Sequence, residues 1–455
     1  MFGVFGWPMD SWDIVLTLLA VGLDTAVSAH VLLHKRDARS AVSWIGLIWL
    51  APPLLGSILY WIFGINRIQR KAQRLIRDNP AMAAAALATL AKHEHAPGHP
   101  GDLDGLVKSG SRLNRRQLLA GNRVTPLENG DAAYPAMLAA IAGARRSVTL
   151  GTYLFDNDAV GREFVAALAA AKTRGVAVRV LVDDIGARYS IPPVFHRLDR
   201  AGIPNAGFLP TRLPWQAGFL NLRNHRKVMV VDGTTAFTGG MNIRRGHWLA
   251  RADKQPVQDV QFAISGPVVS GLQEIFATDW EFTTGERLEG DLWFPPCPPT
   301  GDVLARAVPD GPEKESALIH SLLMAALNAA EESVLIATPY FIPDGPLVAA
   351  LNMAAVRGIA VEILLPARGN LPWVQWASQA MLWQVLDKGC RIWLTPPPFD
   401  HSKLMVVDER WTMLGSANWD ARSLRLNFEL NMECYDTPLA RAVTAIIRRK
   451  QAAAR

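Results

Sequence analysis

Two stretches of the sequence decide the fold: "NHRKVMVVDG" at residues 224–233 and "DHSKLMVVDE" at residues 400–409. Each stretch has a histidine, a lysine two positions later and an aspartate after four further residues. The apolar run between lysine and aspartate is short and rich in valine, which predicts a buried strand. Since side chains two positions apart in a strand point to the same face, each histidine shares a face with its lysine.

A small turn and an asparagine follow each of these strands. The recurring residues are His225, Lys227, Gly239, Gly240 and Asn242 in the first copy, and His401, Lys403, Gly415, Ser416 and Asn418 in the second. A glycine turn beside an asparagine brings backbone and amide N–H donors to an anion. An imidazole, an ammonium and an amide are the groups that stabilise the transition state of phosphodiester chemistry. Each copy therefore predicts half of a phosphodiester site.

The segments that precede the two motifs also repeat. "RRSVTLGTYLFDND", which starts at Arg145, aligns with "EESVLIATPYFIPD", which starts at Glu331. Each copy continues with an alanine-rich helix, an Arg-Gly pair and a second apolar strand, which predicts a βαβ unit with Gly175 and Gly358 as helix stops. Because each motif follows its own unit, the repeat is a whole duplicated domain.

Composition limits the function without selecting it. The 455 residues carry a net charge of +6 and a pI near 9.3, which suits contact with phosphate groups of nucleic acid or lipid. The three cysteines, Cys297, Cys390 and Cys434, are far apart and odd in number. They indicate neither a disulfide framework nor a zinc site.

Two apolar stretches near the N-terminus, residues 14–33 and 41–64, approach the length of a membrane span. Asp10 and Asp13 stand where a signal peptide would carry positive charge, so we predict a retained hairpin anchor rather than a cleaved leader. Asp24 and the Pro52–Pro53 pair argue against two plain spans, and a hairpin dipping into one leaflet stays an alternative.

Basic residues set the expected orientation of the hairpin. Three lie in its connection and five follow the second stretch: Lys35, Arg36 and Arg39, then Arg67, Arg70, Lys71, Arg74 and Arg77. This excess predicts that the bulk of the chain is cytoplasmic. Truncation to about the linker should then release a folded two-repeat domain.

The predicted organisation has five parts. They are a membrane hairpin and basic helix (1–78), a linker (79–120), a first repeat (121–294), a Pro-rich connection (295–312) and a second repeat (313–455). Within the linker, His93, His95 and His99 lack acidic or thiol partners at a fixed spacing, so we interpret them as solvated residues rather than metal ligands.

The duplicated motif resembles the double HxKxxxxD signature of the phospholipase D superfamily, and the chain is most similar to bacterial cardiolipin synthases of the membrane-anchored type. The resemblance covers roughly residues 121–445, and the N-terminal hairpin resembles the membrane segment of those synthases. It implies an α/β fold in which duplicated phospholipase D-type domains meet at a pseudo-two-fold active site.

The resemblance also implies residue roles. His225 would be the nucleophile that forms a phosphohistidine, and His401 the acid for the leaving alcohol and then the base for the incoming one, although the two roles could be exchanged. A downstream carboxylate holds the second nitrogen of each histidine in this family, and Asp259 and Glu429 fall in those positions. Four further residues would hold the non-bridging oxygens of the phosphate group: Lys227, Lys403, Asn242 and Asn418. Asp232 and Asp408 would brace loops.

No metal or other cofactor is expected, and a chelator should leave activity intact. His247 and His320 lack a partner spacing, so no catalytic role is assigned to them. Trp373 and Trp376 suit either the membrane surface near the mouth of the site or core packing.

The predicted function is cardiolipin synthase-like phosphatidyl transfer, which joins two phosphatidylglycerols and releases glycerol. Hydrolysis as a phospholipase or nuclease, or transfer to another acceptor, stays open because "QDVQ" (258–261) and "IRRGHW" (243–248) depart from the family pattern. A scaffold without catalysis is excluded because both histidines, both lysines and both asparagines are present. The expected partners are anionic phospholipid and the bacterial inner membrane, with the catalytic domains on the cytoplasmic side, no nucleic acid, and a homo-oligomer as an open alternative.

Overall fold

The computed structural model describes residues 11–35, 38–61, 103–114, 116–210, 222–252, 255–312 and 317–454. The chain forms two compact units, residues 1–70 and 71–455. The basic residues from Arg67 to Arg77 and the histidines of the predicted linker lie outside the described residues.

Where the structure describes it, the N-terminal unit contains three helices, α1 (Ser11–His34), α2 (Ala38–Leu50) and α3 (Leu55–Leu59). Within the described residues, one helix, Ile14–His34, is long and apolar enough to cross a membrane. Many of its leucines are exposed, and Leu18 and Leu33 are 66% and 80% accessible. A helix with exposed leucines suits a lipid environment better than water.

Within its described residues, the second apolar stretch (41–64) is broken near the Pro52–Pro53 pair, the feature that argued against a plain span. The helix α2 stops before Pro52, and α3 returns onto it so closely that a Cβ on Gly56 would lie 2.4 Å from Ile48 Cα. Asp24 of α1 is buried and accepts a hydrogen bond of 2.5 Å from the Ser57 hydroxyl. This contact supplies the partner that a carboxylate needs in an apolar environment.

The larger unit is built from ten helices and eighteen strands in the described residues. The helices are α4 (Asp104–Leu113), α5 (Asn129–Gly143), α6 (Ala159–Thr173), α7 (Phe195–Arg200), α8 (Val268–Thr284), α9 (Leu318–Ala329), α10 (Gly345–Val356), α11 (Pro372–Gln379), α12 (Trp383–Leu386) and α13 (Thr437–Ala452). The strands of the first half are β1 (Leu119–Glu128), β2 (Ser147–Thr152), β3 (Ala177–Asp183), β4 (Asn205–Phe208), β5 (Val228–Val231), β6 (Thr235–Gly239), β7 (Val257–Gln258) and β8 (Val260–Ser265). Those of the second half are β9 (Val303–Asp310), β10 (Ser333–Ala337), β11 (Phe341–Ile342), β12 (Ala360–Pro366), β13 (Arg391–Thr395), β14 (Phe399–Asp400), β15 (Leu404–Val407), β16 (Trp411–Gly415), β17 (Trp419–Asp420) and β18 (Glu429–Tyr435).

Fourteen strands form one sheet in the order β13-β12-β10-β15-β16-β18-β9-β1-β8-β6-β5-β2-β3-β4. Read outward from the central β9–β1 pair, the two halves have the same order of equivalent strands. The sheet therefore has a pseudo-two-fold axis between β1 and β9, which pair antiparallel. The predicted duplication is confirmed, and its two copies share a continuous sheet.

The local sequence explains the helices of each βαβ unit. Asp158 caps the start of α6 by accepting from Gly161 N (2.9 Å), and Asp344 caps α10 by accepting from Leu347 N (3.3 Å). Gly175 and Gly358 follow these helices, both with φ of +90°. This left-handed conformation ends a helix at little cost only at glycine, so the predicted helix stops are confirmed.

Part of the predicted linker is structured. The helix α4 lies inside the segment 79–120, and its Leu106 and Val107 are buried in the core of the second half beside Ile319 of α9. The second repeat also begins earlier than the predicted boundary at residue 313, because β9 is the symmetry equivalent of β1. The short length and glycines of α4 concealed it among linker-like residues.

We predict that a truncated protein that begins at residue 103 folds, whereas one that begins at residue 117 is less stable. The shorter form loses Leu103, Leu106 and Val107, each worth about 1.5–3 kcal/mol when buried. Its midpoint of thermal unfolding should be lower by roughly 5–10 °C, measured by circular dichroism on both proteins. Equal midpoints would contradict the docking of α4.

Candidate active site

The strands β5 and β15 position the two motifs. Both strands are fully buried, and their leading residues Lys227 and Lys403 are 2% and 4% exposed. Lys227 Nζ donates to the His225 carbonyl (2.7 Å), and Lys403 Nζ donates to the His401 carbonyl (2.5 Å). These bonds hold each ammonium beside the histidine of its own motif.

The backbone at each histidine is bonded to the opposite half. His225 N donates to Phe428 O, and His401 N donates to Gln258 O, both at 2.8 Å. The strands β7 and β14 pair in parallel beside the second of these bonds. The two half-sites therefore meet through main-chain hydrogen bonds across the pseudo-two-fold axis.

The carboxylates cross the same axis. His225 Nδ1 lies 3.0 Å from Glu429 Oε2, and His401 Nδ1 lies 2.9 Å from Asp259 Oδ2. The sequence places Asp259 downstream of His225 and Glu429 downstream of His401, but the structure pairs them the other way. Chain order could not show this, because the partners lie 204 and 142 residues apart. Each carboxylate fixes the orientation of the opposite half's imidazole and leaves its Nε2 away from the pair.

The two carboxylates have different surroundings. Glu429 accepts hydrogen bonds from His225, the Ser416 hydroxyl (2.5 Å) and the Asn427 amide (3.1 Å). Burial raises the pKa of Glu429, but His225, Lys227 and Ser416 more than offset this and bring it below the ordinary value. Its carboxylate form is therefore strongly stabilised.

Asp259 has fewer donors. Within the described residues its carboxylate accepts from His401 Nδ1 and the Val260 amide (2.8 Å). Burial raises the pKa of Asp259, and Lys403 and His247 offset this only in part. The two halves of the site are therefore symmetric in backbone and unequal in electrostatics.

Burial also sets the charge of the imidazoles and ammonium groups. It lowers the pKa of Lys227 to about 7 and that of Lys403 to about 8. The pKa of His225 is lowered by burial, which Glu429 partly offsets, and that of His401 lies well below the ordinary value because of burial and the nearby Lys403 and Lys227. Without a bound phosphate, both imidazoles therefore favour the neutral form, which is the form that a nucleophile requires.

The predicted supporting residues lie where a larger or different side chain would not fit. Gly239 and Gly415 have φ of +152° and +151°, and a Cβ on them would lie 2.6 Å from Gln261 Oε1 and 2.4 Å from Asn431 Oδ1. A Cβ on Gly240 would lie 2.5 Å from Asp259 Oδ1. The absence of a side chain at these glycines therefore lets the main chain approach Gln261 and Asn431 closely, and at Gly240 it lets the turn approach the Asp259 carboxylate.

The motif aspartates contact the backbone. Asp232 accepts from the amides of residues 145, 146 and 147 at 2.7–3.1 Å, and Asp408 accepts from those of residues 331, 332 and 333 at 2.7–2.9 Å. Both aspartates have φ of +52°. These contacts join the end of each motif strand to the start of β2 or β10, as expected for residues that brace loops.

The asparagines are buried beside the motifs. Asn242 Oδ1 accepts from Leu154 N (3.1 Å), which orients its NH₂ group, and the Asn242 carbonyl accepts from the Tyr134 hydroxyl (2.6 Å). Asn418 Nδ2 donates to Ser423 Oγ (3.2 Å). The amides are thus held by their own halves rather than across the axis.

Sequence reasoning missed three residues at the site. Tyr153 packs edge-on against His225, with ring centroids 5.2 Å apart, and Lys227 Nζ lies 5.6 Å from its ring. His247 is buried, and its ring centroid is 6.0 Å from that of His401. Asn427 bonds Glu429. Tyr153 directly follows the strand β2 of a βαβ unit, and this position is typical of functional residues. Nothing in the sequence indicates a functional role for His247 or Asn427, because both lie beside carboxylates whose place in the site depends on the crossed pairing.

His247 also completes a group of three residues whose side chains could hold a metal ion. One donor atom from each of His247, Asp259 and His401 lies within 4.8 Å of the others, and all three residues are buried. Burial lowers the pKa of His247 to about 3, so its imidazole is neutral. His320 has a local role instead, since its Nε2 lies 3.0 Å from Asp344 Oδ1 at the start of α10.

The tryptophans of α11 and α12 are exposed rather than packed. Trp373, Trp376 and Trp383 are 65%, 69% and 66% accessible. Beneath α11 runs a groove lined largely by apolar residues, and the Tyr340 ring at its edge lies 6.3 Å from Phe399. The Phe399 ring is in turn 6.1 Å from that of His401. An aromatic path thus joins this surface to the second half-site.

The duplicated fold and the paired histidines define a phospholipase D-like enzyme. Residues 137–280 and 323–450 match the family described as "Cardiolipin synthase, PLD-like domain", and residues 22–64 match "Phospholipase D-nuclease N-terminal". The chain belongs to the cardiolipin synthase family. Membership confirms the predicted fold class and the predicted class of enzyme, a phosphatidyl transferase that acts on lipid, and with the apolar helix it indicates membrane association.

Similar proteins cover nearly the whole chain. The cardiolipin synthase A of Pseudomonas fluorescens (strain SBW25) is 34% identical over 92% of this chain and 88% of its own length. That of Pseudomonas aeruginosa (strain LESB58) is 33% identical over 95% and 89%. The crystal structure of phosphatidylserine synthase from Haemophilus influenzae Rd KW20 covers 77% of this chain and 92% of its own with a TM-score of 0.57 at 15% identity, which shows a shared fold.

The lowered pKa of Lys227 predicts an alkaline limit to activity. An ammonium that holds phosphate oxygens is lost as pH rises through its pKa, so kcat/KM should fall above about pH 7. The alkaline fall in kcat, which reports on the enzyme–substrate complex, should occur at higher pH than the fall in kcat/KM, because a bound phosphate anion raises the pKa of the ammonium.

The Lys227→Arg variant provides the control. Arginine keeps its charge throughout this range, so the limb in kcat/KM should move toward pH 8, near the pKa of Lys403. Initial rates over pH 5.5–9.5 measure the effect. A limb at the same pH in both proteins would show that Lys227 does not set it.

Proposed function

We propose that the two half-sites form one centre that joins two phosphatidylglycerol molecules and releases glycerol. The crossed carboxylates carry this proposal, because Glu429 orients His225 and Asp259 orients His401 across the pseudo-two-fold axis. Neither imidazole is positioned by its own half alone. A site of this kind divides labour between two groups on opposite sides of one phosphorus atom.

In the first step, His225 Nε2 attacks the phosphorus of one phosphatidylglycerol. A P–N bond forms and the P–O bond to the glycerol headgroup breaks. His401, whose protonated form is stabilised by the bound phosphate anion and by Asp259, gives its Nε2 proton to the departing oxygen. The Glu429 carboxylate stabilises the cationic imidazole that results. The intermediate is a phosphohistidine that carries the phosphatidyl group.

In the second step, His401 accepts the proton of the headgroup hydroxyl of a second phosphatidylglycerol. The alkoxide attacks the phosphorus, the P–N bond breaks, and cardiolipin leaves with His225 restored. Lys227, Lys403 and the amides of Asn242 and Asn418 hold the non-bridging oxygens during both steps. Donors that are already fixed by the fold stabilise this charge without the cost of reorganisation.

A lipid substrate is favoured over nucleic acid by the surfaces of the chain. Trp373 and Trp376 of α11 are exposed at the protein surface, and indoles favour the water–membrane interface. The apolar groove beneath α11 is lined in part by Tyr340, whose ring is connected to that of His401 through Phe399. The exposed leucines of α1 suit lipid as well. We therefore place the protein in the bacterial inner membrane with the catalytic unit on the cytoplasmic side, where the basic residues after the hairpin meet anionic headgroups.

Substitution of either histidine tests the division of labour. His225→Ala and His401→Ala should each lower the rate of cardiolipin and glycerol formation by roughly 10³-fold or more, and the double variant should fall little further. Products from phosphatidylglycerol micelles are measured by mass spectrometry. Arg441→Ala, which removes an exposed ion pair with Glu409, is the control and should keep full activity.

The products and the trapped intermediate separate the alternatives. Phosphatidic acid in place of cardiolipin would identify a hydrolase. Phosphohistidine should accumulate at His225 in His401→Ala, whereas its accumulation at His401 in His225→Ala would exchange the two roles. Near-normal turnover by either single variant would contradict a shared centre.

A further inference from the structure

A third histidine lies against one of the two crossed pairs. His247 is 2% exposed and follows the turn that carries Asn242. One of its ring nitrogens belongs to the group of donor atoms, from His247, Asp259 and His401, that all lie within 4.8 Å of one another. The catalytic steps above use His401 and Asp259 but give His247 no part.

His247 is also short of hydrogen bonds. Its Nδ1 is buried and has no hydrogen-bond partner among the described residues. A buried ring nitrogen without a hydrogen-bond partner lowers the free energy of unfolding, so its presence in a folded protein needs an explanation. A ligand bound at that nitrogen would provide one. The backbone of His247 is fixed, since its amide donates to Arg244 O and its carbonyl carbon would lie 2.8 Å from a Cβ on Gly130. The main chain that carries the imidazole is therefore held in place by its surroundings.

The other half-site has no such imidazole. The residue five positions after Asn418, equivalent to His247 after Asn242, is Ser423. Ser423 accepts a hydrogen bond from Asn418, and Glu429 is already bonded to Ser416 and Asn427. In the first half, Gly240 replaces Ser416, so Asp259 lacks that donor. The histidine with an unpartnered ring nitrogen thus lies beside the carboxylate that has fewer hydrogen bonds.

We propose that His247, Asp259 and His401 form a zinc site whose occupation inhibits the enzyme. Two imidazoles and one carboxylate are a donor set that zinc favours, and a fourth position is left for water. Zinc at about 2.0–2.2 Å from each donor would bring the donor atoms to roughly 3.3 Å of one another. Small side-chain rotations would be enough to reach this distance, because the donor atoms now lie within 4.8 Å of one another. The side chain of His401 is 11% exposed, which gives the ion an approach from the substrate side.

Inhibition follows from the ligand set. A His401 ring nitrogen bound to zinc cannot exchange protons with the alcohol, and a bound Asp259 cannot orient the ring. The metal-free protein is then the active form, so a chelator leaves activity unchanged or raises it. This part of the inference rests on the proposed role of His401, whereas zinc binding itself does not.

Zinc binding is measured first, without reference to activity. The full-length protein in detergent is dialysed against EDTA, then titrated with ZnCl₂, and bound metal is counted by mass spectrometry. We expect one zinc ion per chain, with binding weakened at least roughly 100-fold in His247→Gln. His320→Gln, the same substitution at a histidine paired with Asp344, is the matched control and should bind zinc like the unaltered protein.

X-ray absorption at the zinc edge keeps the test independent of any variant. The unaltered protein should show two imidazole nitrogens and carboxylate or water oxygens. No bound zinc at millimolar concentration, or other ligands at the edge, would overturn the proposal, as would equal binding by folded His247→Gln.

Activity is measured second. Zinc should inhibit phosphatidyl transfer at the concentration at which it binds, and magnesium should not. Each variant is compared with its own metal-free rate, and inhibition of His247→Gln should require roughly 100-fold more zinc. Binding without inhibition would overturn the regulatory role and would also count against the assignment of His401, whereas failure to bind would leave that assignment standing.

Discussion

The exchange of carboxylates across the pseudo-two-fold axis is the contact on which the site depends. Glu429 belongs to the second half and holds His225 of the first, while Asp259 of the first half holds His401 of the second. Buried carboxylates are stable only with such partners, so the pairs fasten the halves together as well as orienting the imidazoles. The continuous sheet through β1 and β9 and the backbone bonds from both histidines reinforce the same interface.

Much of this arrangement follows from the sequence. The doubled motif, the valine-rich strands and the Arg-Gly helix stops predicted a duplicated α/β fold, because each signal is local and has a direct structural cause. The site residues His225, Lys227, His401 and Lys403 follow from the duplicated motif, and strand periodicity indicates that each histidine shares a face with its lysine. Asp259 and Glu429 were found by position, although their partners were not.

The remainder depends on contacts between distant segments. The crossing of the carboxylates, the docking of α4 and the place of His247 all join residues more than a hundred positions apart. Periodicity carries no information at that range. The break in the second apolar stretch, by contrast, could be predicted from the sequence, because Pro52 and Pro53 end a helix by a local effect.

The two carboxylates also differ in the number of hydrogen bonds that they accept. The two half-sites therefore differ in electrostatics although their backbones are related by the pseudo-two-fold axis.

The crossed pairing is tested most directly by the imidazole Nδ1–H protons, observed by NMR with labelled histidine. A proton shared with a carboxylate resonates far downfield, and His225→Gln and His401→Gln assign the two signals. We expect Glu429→Gln to shift the signal of His225 and leave that of His401, and Asp259→Asn to do the reverse. If Glu429→Gln instead shifted the signal of His401, each half would orient its own histidine, and the interface described here would be contradicted.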